Sequence, residues 1–193
     1  MSMMSLKEIL NGKLTDKETI HSYGDVYSNL FENIRNSTKN VLEIGVHRGG
    51  SILAWSEYFH NAHITGVDDD PSRPWLSNLQ TTFEDDRVEI VEGDAYKVTF
   101  MEKLTDKYDI IIDDGPHTLD SMTFCAKYYS NLLTDDGILI IEDVQDYSWV
   151  NTIVRSFPSE LQKHIQVVDL RHVKNRYDDI LIILNKKSRE RAR

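Results

Sequence analysis

Val41-Leu-Glu-Ile-Gly-Val-His-Arg-Gly-Gly-Ser51 joins a short apolar segment to a glycine-rich turn and then leads into a helical pattern. Residues 40–45 are typical of a buried strand that stops at a glycine. Gly45 permits a tight turn, while Gly49 and Gly50 let a ligand approach the backbone near the next helix. Dinucleotide-binding folds use a similar turn with the spacing G-x-G-x-x-G, which this stretch lacks. It therefore predicts a strand–turn–helix unit with a ligand site at the turn.

Strand and helix patterns alternate along the rest of the chain. The predicted strands are residues 40–45, 63–68, 88–94, 109–113, 138–141, 165–170 and 179–184. The predicted helices are residues 25–36, 51–59, 74–83, 121–133 and the segment that starts at 151–157. This alternation predicts an α/β fold with a doubly wound, mostly parallel seven-stranded sheet. The link between the last two strands is too short for a helical crossover, so the last strand should be antiparallel.

The length of 193 residues suits one domain with a full core and is short for two. We expect a single domain, 1–193, because no repeat or linker interrupts the chain. Within it we expect an N-terminal helical region at 1–38, an α/β core at 39–185 and a basic tail at 186–193.

Composition bounds the location and the partners. The apolar runs are too short to span a bilayer, and the N-terminus lacks the pattern of a signal peptide, so no membrane is expected. The single cysteine, Cys125, fits a reducing compartment, and a cytoplasmic location is the expectation. The net charge of −10 repels a phosphate backbone, which argues against a nucleic-acid substrate.

An acid lies at the end of each of the first four predicted strands. Glu43 would disfavour a pyrophosphate at the glycine-rich turn and favour an ammonium group. Asp68 can accept hydrogen bonds from both ribose hydroxyls, and Asp94 in Gly93-Asp94-Ala95 can accept one from an adenine amino group. Each acid alone is equally compatible with a solvated loop. The ordered set, which Asp113 completes, predicts a site for a cationic nucleoside.

Two apolar segments, Tyr108–His117 and Gly137–Val144, run directly into acid. The residues at their ends are Asp113, Asp114, His117, Glu142 and Asp143. On parallel strands these ends share one edge of the sheet, where like charges repel unless a cation or a proton-transfer role compensates. Two alternatives stay open. The Glu142-Asp143 pair would also suit a helix N-terminus, and His117 would also suit a structural hydrogen bond in a loop.

The order of these motifs resembles the class I S-adenosylmethionine-dependent methyltransferases, over roughly residues 15–185. The resemblance implies a Rossmann-like methyltransferase fold with S-adenosyl-L-methionine as cofactor. It implies that Gly45 and Gly49 line the methionine side, that Asp68 holds the ribose, and that Asp94 with Ala95 frames the adenine. The residues expected at the cofactor are Glu43, Gly45, Val46, Gly49, Ser51, Asp68, Gly93, Asp94, Ala95 and Asp113.

Asp-Asp-Gly-Pro-His followed by Ile-Ile-Glu-Asp-Val is similar to the metal-dependent sugar O-methyltransferases of macrolide biosynthesis, the mycinamicin type, and to cephalosporin-hydroxylase-like proteins. Thr15-Asp-Lys17 with His21, Tyr23 and Tyr27 fits them as well. Their pattern usually has serine where Pro116 stands. The resemblance implies that Asp114, Glu142 and Asp143 ligate a divalent cation, with His117 as general base.

The chemistry of these side chains agrees with that implication. Three carboxylates without a cysteine ligand suit Mg²⁺ or another hard divalent cation. Such a cation stabilises a developing alkoxide, so that a neutral imidazole can remove the proton of a sugar hydroxyl. Asp113 is expected near the cofactor rather than on the metal.

Aromatic and basic side chains follow the second acidic strand end. Tyr147 and Trp149 would form a stacking wall for a sugar ring, or else a core-facing helix start. The segment 171–177 would steady an acceptor glycan, or else form a solvated turn.

These observations predict a Mg²⁺-dependent O-methyltransferase that uses S-adenosylmethionine on a sugar hydroxyl, free or within a glycoside or glycan. A catechol-like small diol is an alternative acceptor. A binding or scaffold domain that keeps the cofactor fold without turnover is the other alternative. A chain of this length leaves little room for an acceptor-specific domain. A partner, a second copy in a homo-oligomer or a larger parent protein is therefore expected to assist recognition.

Overall fold

The computed structural model describes residues 4–13, 15–70 and 86–187. By its internal contacts the chain divides into two compact units, Met1–Gly93 and Asp94–Arg193. The helix expected at 74–83, and residues 188–193 of the expected basic tail, lie outside the described residues. The domain boundaries expected from the sequence stay predictions.

The described part of the first unit contains three parallel strands and three helices. Its strands are β1 (Asn40–Ile44), β2 (His63–Asp68) and β3 (Val88–Glu92), and its helices are α1 (Leu6–Gly12), α2 (Gly24–Phe31) and α3 (Gly50–Tyr58). A 3₁₀ turn at Glu32–Ile34 follows α2. β2 pairs with β1 and with β3. The buried rings of Phe31, Trp55 and Phe59 contact one another and pack α2 against α3, which stabilises this unit.

The described part of the second unit contains four strands. Its strands are β4 (Tyr108–Asp113), β5 (Leu133–Ile141), β6 (Ile165–Asp169) and β7 (Ile180–Asn185). Its helices are α4 (Val98–Met101), α5 (Leu119–Tyr128), α6 (Val150–Ser156) and α7 (Arg171–Lys174), with 3₁₀ turns at Tyr129–Leu132, Tyr147–Trp149 and Gln162–His164. β4 and β5 are parallel, whereas β7 is antiparallel to both β5 and β6. The near-continuous isoleucine and leucine runs of β4, β5 and β7 are buried, as expected of central strands.

The predicted fold class is confirmed. The sheet has seven strands in the order β3-β2-β1-β4-β5-β7-β6, mostly parallel, with the last strand antiparallel. The predicted helix 121–133 is displaced, because a capping box between Thr118 and Ser121 starts α5 at Leu119. The same region ends in a 3₁₀ turn, and Leu133 already belongs to β5.

Among the described residues, every helix is too short or too polar to span a bilayer.

Candidate functional site

The glycine-rich turn links β1 to α3 as expected. Gly45 and Gly49 have φ angles of 89° and 75°, in the left-handed region that favours glycine. The backbone N–H of Gly49 donates to the Val46 carbonyl at 2.7 Å, which closes the turn. Val46 and Gly50 are buried, so the turn packs against the unit on one side. A larger residue at Gly45 or Gly49 would strain the turn that leads into the helix.

Asp68, at the end of β2, stabilises this turn through hydrogen bonds to its carboxylate. Its Oδ2 accepts hydrogen bonds from the backbone N–H groups of Val46 and His47, at 2.9 and 3.1 Å. Its Oδ1 accepts from the N–H of Asp70 at 3.2 Å. A carboxylate oxygen has more than one acceptor position, so these contacts leave capacity for a ligand hydroxyl. The role of Asp68 at a ribose stays a prediction, and its role in shaping the turn is an addition to it.

Glu43 is fully buried, and the described partners of its carboxylate include the side chains of Ser51, Trp55 and Lys17. Oε2 accepts hydrogen bonds from Ser51 Oγ at 2.7 Å and from Trp55 Nε1 at 3.1 Å. Oε1 lies 3.3 Å from the Nζ of Lys17, whose side chain is only 1% exposed. The sequence led us to expect that Glu43 favours an ammonium group, and the structure places the protein's own ammonium there. The Thr15-Asp-Lys17 motif was the available signal, but sequence reasoning did not connect it to Glu43.

The third strand end carries Gly93, Asp94 and Ala95. The N–H of Gly93 donates to the Asp68 carbonyl at 2.9 Å. The Asp94 carboxylate accepts from the backbone N–H of Tyr96 at 2.9 Å, which lowers the pKa of Asp94 and keeps it ionised. Ala95 is buried, and its carbonyl accepts from the Tyr129 hydroxyl at 2.7 Å. An ionised Asp94 suits the expected hydrogen bond from an amino group.

The two acidic strand ends leave the sheet side by side. Asp113 of β4 is in register with Ile141 of β5, and the N–H of Glu142 donates to the Asp113 carbonyl at 3.0 Å. The loops after β4 and β5 therefore start at the same level. This register brings Asp114 and Asp143 to the same point.

Asp114, His117 and Asp143 form one cluster. His117 Nε2 lies 3.6 Å from Asp114 Oδ1 and 3.7 Å from Asp143 Oδ2. One ligand atom from each residue lies within 4.8 Å of the other two, close enough for a single ion to contact all three. The fourth expected member, Glu142, is 1% exposed and does not belong to this cluster. The structure thus assembles two of the three expected ligands with the expected base.

The backbone at this cluster is strained. His117 and Asp143 both have φ angles of 53°, in the left-handed region that costs a residue with a Cβ about 1 kcal/mol or more. They are two of the four non-glycine residues with positive φ among the described residues. Strained backbone of this kind concentrates at functional sites, where it aims side chains in directions that ordinary geometry does not reach.

Asp113 belongs to a separate buried group behind the cluster. Its Oδ1 accepts a hydrogen bond from the Tyr96 hydroxyl, and burial raises the pKa of Asp113 to about 6. Burial likewise raises the pKa of the Cys125 thiol, and the negative charge of Asp113 raises it further. A side chain at Gly115 would collide with the Tyr96 hydroxyl and the ring atoms next to it, so a larger residue there would displace Tyr96. Asp113 is thus hydrogen-bonded to Tyr96 and is not a member of the three-residue cluster, and its expected place near the cofactor stays a prediction. Sequence reasoning missed Tyr96 because no local pattern links the two residues.

The aromatic residues after β5 differ in exposure. Tyr147 is 52% exposed, whereas Trp149 is half-buried at the start of α6. The segment 171–177 starts with the short helix α7 and is exposed along most of its length. Of the two side chains expected to stack on a sugar, Tyr147 alone is mostly open to solvent.

Known proteins resemble this chain in sequence. A family model described as a methyltransferase domain matches residues 42–144, which is more than half of the chain. The 8-demethyl-8-alpha-L-rhamnosyl tetracenomycin-C 2'-O-methyltransferase of Streptomyces olivaceus is 30% identical over 143 residues, covering 70% of this chain and 36% of that protein. The mycinamicin VI 2''-O-methyltransferase of Micromonospora griseorubida is 28% identical over 142 residues, covering 67% of this chain and 33% of that protein. The chain thus spans about a third of the length of these relatives.

A solved structure shares the fold. The MycE methyltransferase of the mycinamycin biosynthetic pathway, in complex with Mg, SAH and mycinamycin VI, superposes with a TM-score of 0.74 at 20% identity. The match covers 95% of this chain and 53% of that one.

Proposed function

Because this chain belongs to the methyltransferase domain family, we propose that it is an S-adenosylmethionine- and divalent-metal-dependent O-methyltransferase acting on a sugar hydroxyl. The observation that carries the proposal is the Asp114–His117–Asp143 cluster, which combines hard oxygen ligands with an imidazole at the end of two parallel strands. The named activity of the Streptomyces olivaceus relative, a 2'-O-methyl transfer on a rhamnosyl tetracenomycin, supports the choice of a sugar acceptor.

The residues at the strand ends fit the proposed cofactors. Asp114 and Asp143, which the cluster brings together, are proposed as ligands of the cation, and Glu142, which lies outside the cluster, stays the third expected ligand. Such a carboxylate set suits Mg²⁺ better than a soft metal. In the first unit, the glycine-rich turn and Asp68 are the groups proposed to bind S-adenosylmethionine. In the second unit, Asp94 is the proposed acceptor for its adenine amino group. When bound, the cation makes a coordinated hydroxyl more acidic and the nucleoside supplies an electrophilic methyl group.

His117 is the proposed general base. In its neutral form Nε2 accepts the proton of the acceptor hydroxyl, which leaves an imidazolium. Asp114 Oδ1 and Asp143 Oδ2 lie 3.6 and 3.7 Å from Nε2, so the proposed base is next to the proposed ligands of the cation. The left-handed backbone at His117 fixes the direction of the ring.

The acceptor and location follow from charge and composition. We propose an uncharged sugar rather than a nucleic acid, since the net charge of −10 repels phosphates. We also propose that the chain works in the cytoplasm, because its one cysteine is a buried free thiol.

A methyl-transfer screen tests the proposal. Simple glycosides with vicinal hydroxyls are incubated with S-adenosylmethionine and Mg²⁺, with and without EDTA. We expect transfer with Mg²⁺, none with EDTA, and recovery when excess Mg²⁺ is restored. Full transfer in EDTA would overturn the metal dependence. Transfer to catechols alone would favour the small-diol acceptor, and tight cofactor binding without any transfer would favour a scaffold.

A further inference from the structure

Exposed aromatic side chains gather in two segments of the second unit. Tyr147 and Tyr177 are 52% and 62% exposed, and Val173, in the same segment as Tyr177, is 52% exposed. These are three of the six large hydrophobic residues that are exposed in the described part of the chain. Apolar surface that collects in one place, rather than scattering, is typical of a binding site.

The Tyr147 ring is fixed by a cation. Arg171 lies over it, with its guanidinium carbon 5.0 Å from the ring centre. The guanidinium is itself held by Asp169, which accepts from Nε at 2.9 Å and from one terminal nitrogen at 2.7 Å. This paired contact orients Arg171, so the stacked pair loses little further freedom when a ligand binds.

Tyr177 is connected to the Asp114–His117–Asp143 cluster by hydrogen bonds through Gln145. The Tyr177 hydroxyl donates to Gln145 Oε1 at 2.8 Å, and Gln145 Nε2 donates to the backbone carbonyl of Asp143 at 3.0 Å. Two hydrogen bonds therefore connect an exposed ring to a residue of the proposed cation site. The same loop carries Tyr147, four residues after Asp143.

We propose that Tyr147, Arg171 and Tyr177, which we term the aromatic platform, bind a pyranose ring of the acceptor glycoside beside the Asp114–His117–Asp143 cluster. The inference rests on the proposed function and names the residues that recognise its acceptor. The apolar C–H face of a pyranose packs on a phenol ring, while its hydroxyls accept from the remaining N–H groups of Arg171. A platform of two tyrosines and one paired arginine suits a neutral sugar better than an anion, since Asp169 already neutralises the arginine.

Saturation-transfer NMR with the full chain tests the platform, using the methyl glycosides of rhamnose, glucose and galactose as probes. Methyl transfer to the same probes is measured in parallel. We expect Tyr147→Ala to weaken glycoside binding and raise KM about tenfold. Its kcat and its affinity for S-adenosylmethionine should not change. Tyr147→Trp keeps an aromatic face and should bind the glycosides about as well as the wild type.

A matched pair of variants tests whether the effect on binding is specific to the aromatic platform or follows from the loss of any exposed cation–π contact. Arg171→Ala should weaken binding, because Tyr147 loses its support. Lys127→Ala removes the cation from the comparable pair on Tyr128, whose nitrogen lies 4.9 Å from the ring centre, and should change nothing. Equal effects of the two variants would overturn the platform.

The outcomes distinguish the platform from the proposed function. Transfer by the wild type with an unaffected Tyr147→Ala variant overturns the platform and leaves the function standing. Glycoside binding that Tyr147→Ala removes, without methyl transfer by the wild type, keeps the platform and overturns the function. A wild type that neither binds nor methylates any of the three probes overturns both.

Discussion

The position of His117 allows two roles, general base or metal ligand. Its Nε2 lies 3.6 Å from an Asp114 oxygen and 3.7 Å from an Asp143 oxygen, which is close enough for one ion to contact all three atoms. If it is the base, His117→Ala should lower kcat by about 10²–10⁴-fold and leave the affinities for Mg²⁺ and S-adenosylmethionine unchanged. Calorimetric titration of both ligands, alongside single-turnover kinetics, makes the measurement. A large loss of Mg²⁺ affinity would instead identify His117 as a ligand.

The backbone conformation of Asp143 lowers the stability of the protein, whereas its carboxylate is proposed to bind the cation. Its φ of 53° disfavours any Cβ, so in EDTA Asp143→Gly should be more stable than Asp143→Ala by about 1 kcal/mol. Urea unfolding of the two variants gives the difference. Thr152, exposed in helix α6, is the matched control. There Thr152→Gly should be less stable than Thr152→Ala, as in ordinary helices. The same order at both positions would contradict strain at Asp143.

At the scale of elements, the buried Lys17–Glu43 pair joins the segment before α2 to β1 and α3. Lys17→Met leaves the Glu43 carboxylate buried without its cation, which should cost about 3–5 kcal/mol of unfolding free energy. Lys7→Met, in a pair whose members are 42% and 77% exposed, should cost about 1 kcal/mol or less.

Adding Glu43→Gln should recover part of the loss in the Lys17→Met variant, because glutamine can still accept from Ser51 and Trp55. Urea unfolding at constant pH measures all of these variants. A Lys17→Met protein within about 1 kcal/mol of the wild type would show that the pair does not anchor the segment.

The elements also show where sequence reasoning succeeds and where it stops. The strands were predictable because β4, β5 and β7 are short apolar runs bounded by acids and glycines, and the fold class was confirmed. The start of β5 was not predictable from the sequence. Leu133 follows a helical pattern without a break, and its strand pairing with Tyr108 is a long-range contact. The Lys17–Glu43 and Tyr96–Asp113 contacts are likewise set by tertiary packing, which no local periodicity encodes.

At the scale of the whole molecule, stabilisation by a bound cation must be separated from the general effect of salt on a highly charged chain. A chain with a net charge of −10 gains stability from any salt that screens its self-repulsion, so a rise in melting temperature with Mg²⁺ is not in itself specific. Comparison at matched ionic strength with NaCl removes this contribution.

A specific Mg²⁺ site stabilises the protein beyond this screening by salt. Mg²⁺ at 100 times its dissociation constant should stabilise the native state by about 2.7 kcal/mol, which corresponds to a rise of roughly 5–10 °C for a chain of this size. The Asp114→Asn/Asp143→Asn variant lacks both clustered carboxylates and should show only the change that NaCl produces. Differential scanning calorimetry of both proteins, each dialysed against EDTA first, makes the comparison. An equal Mg²⁺-dependent rise in the two would place the ion elsewhere and remove the physical basis for metal-assisted methyl transfer at this cluster.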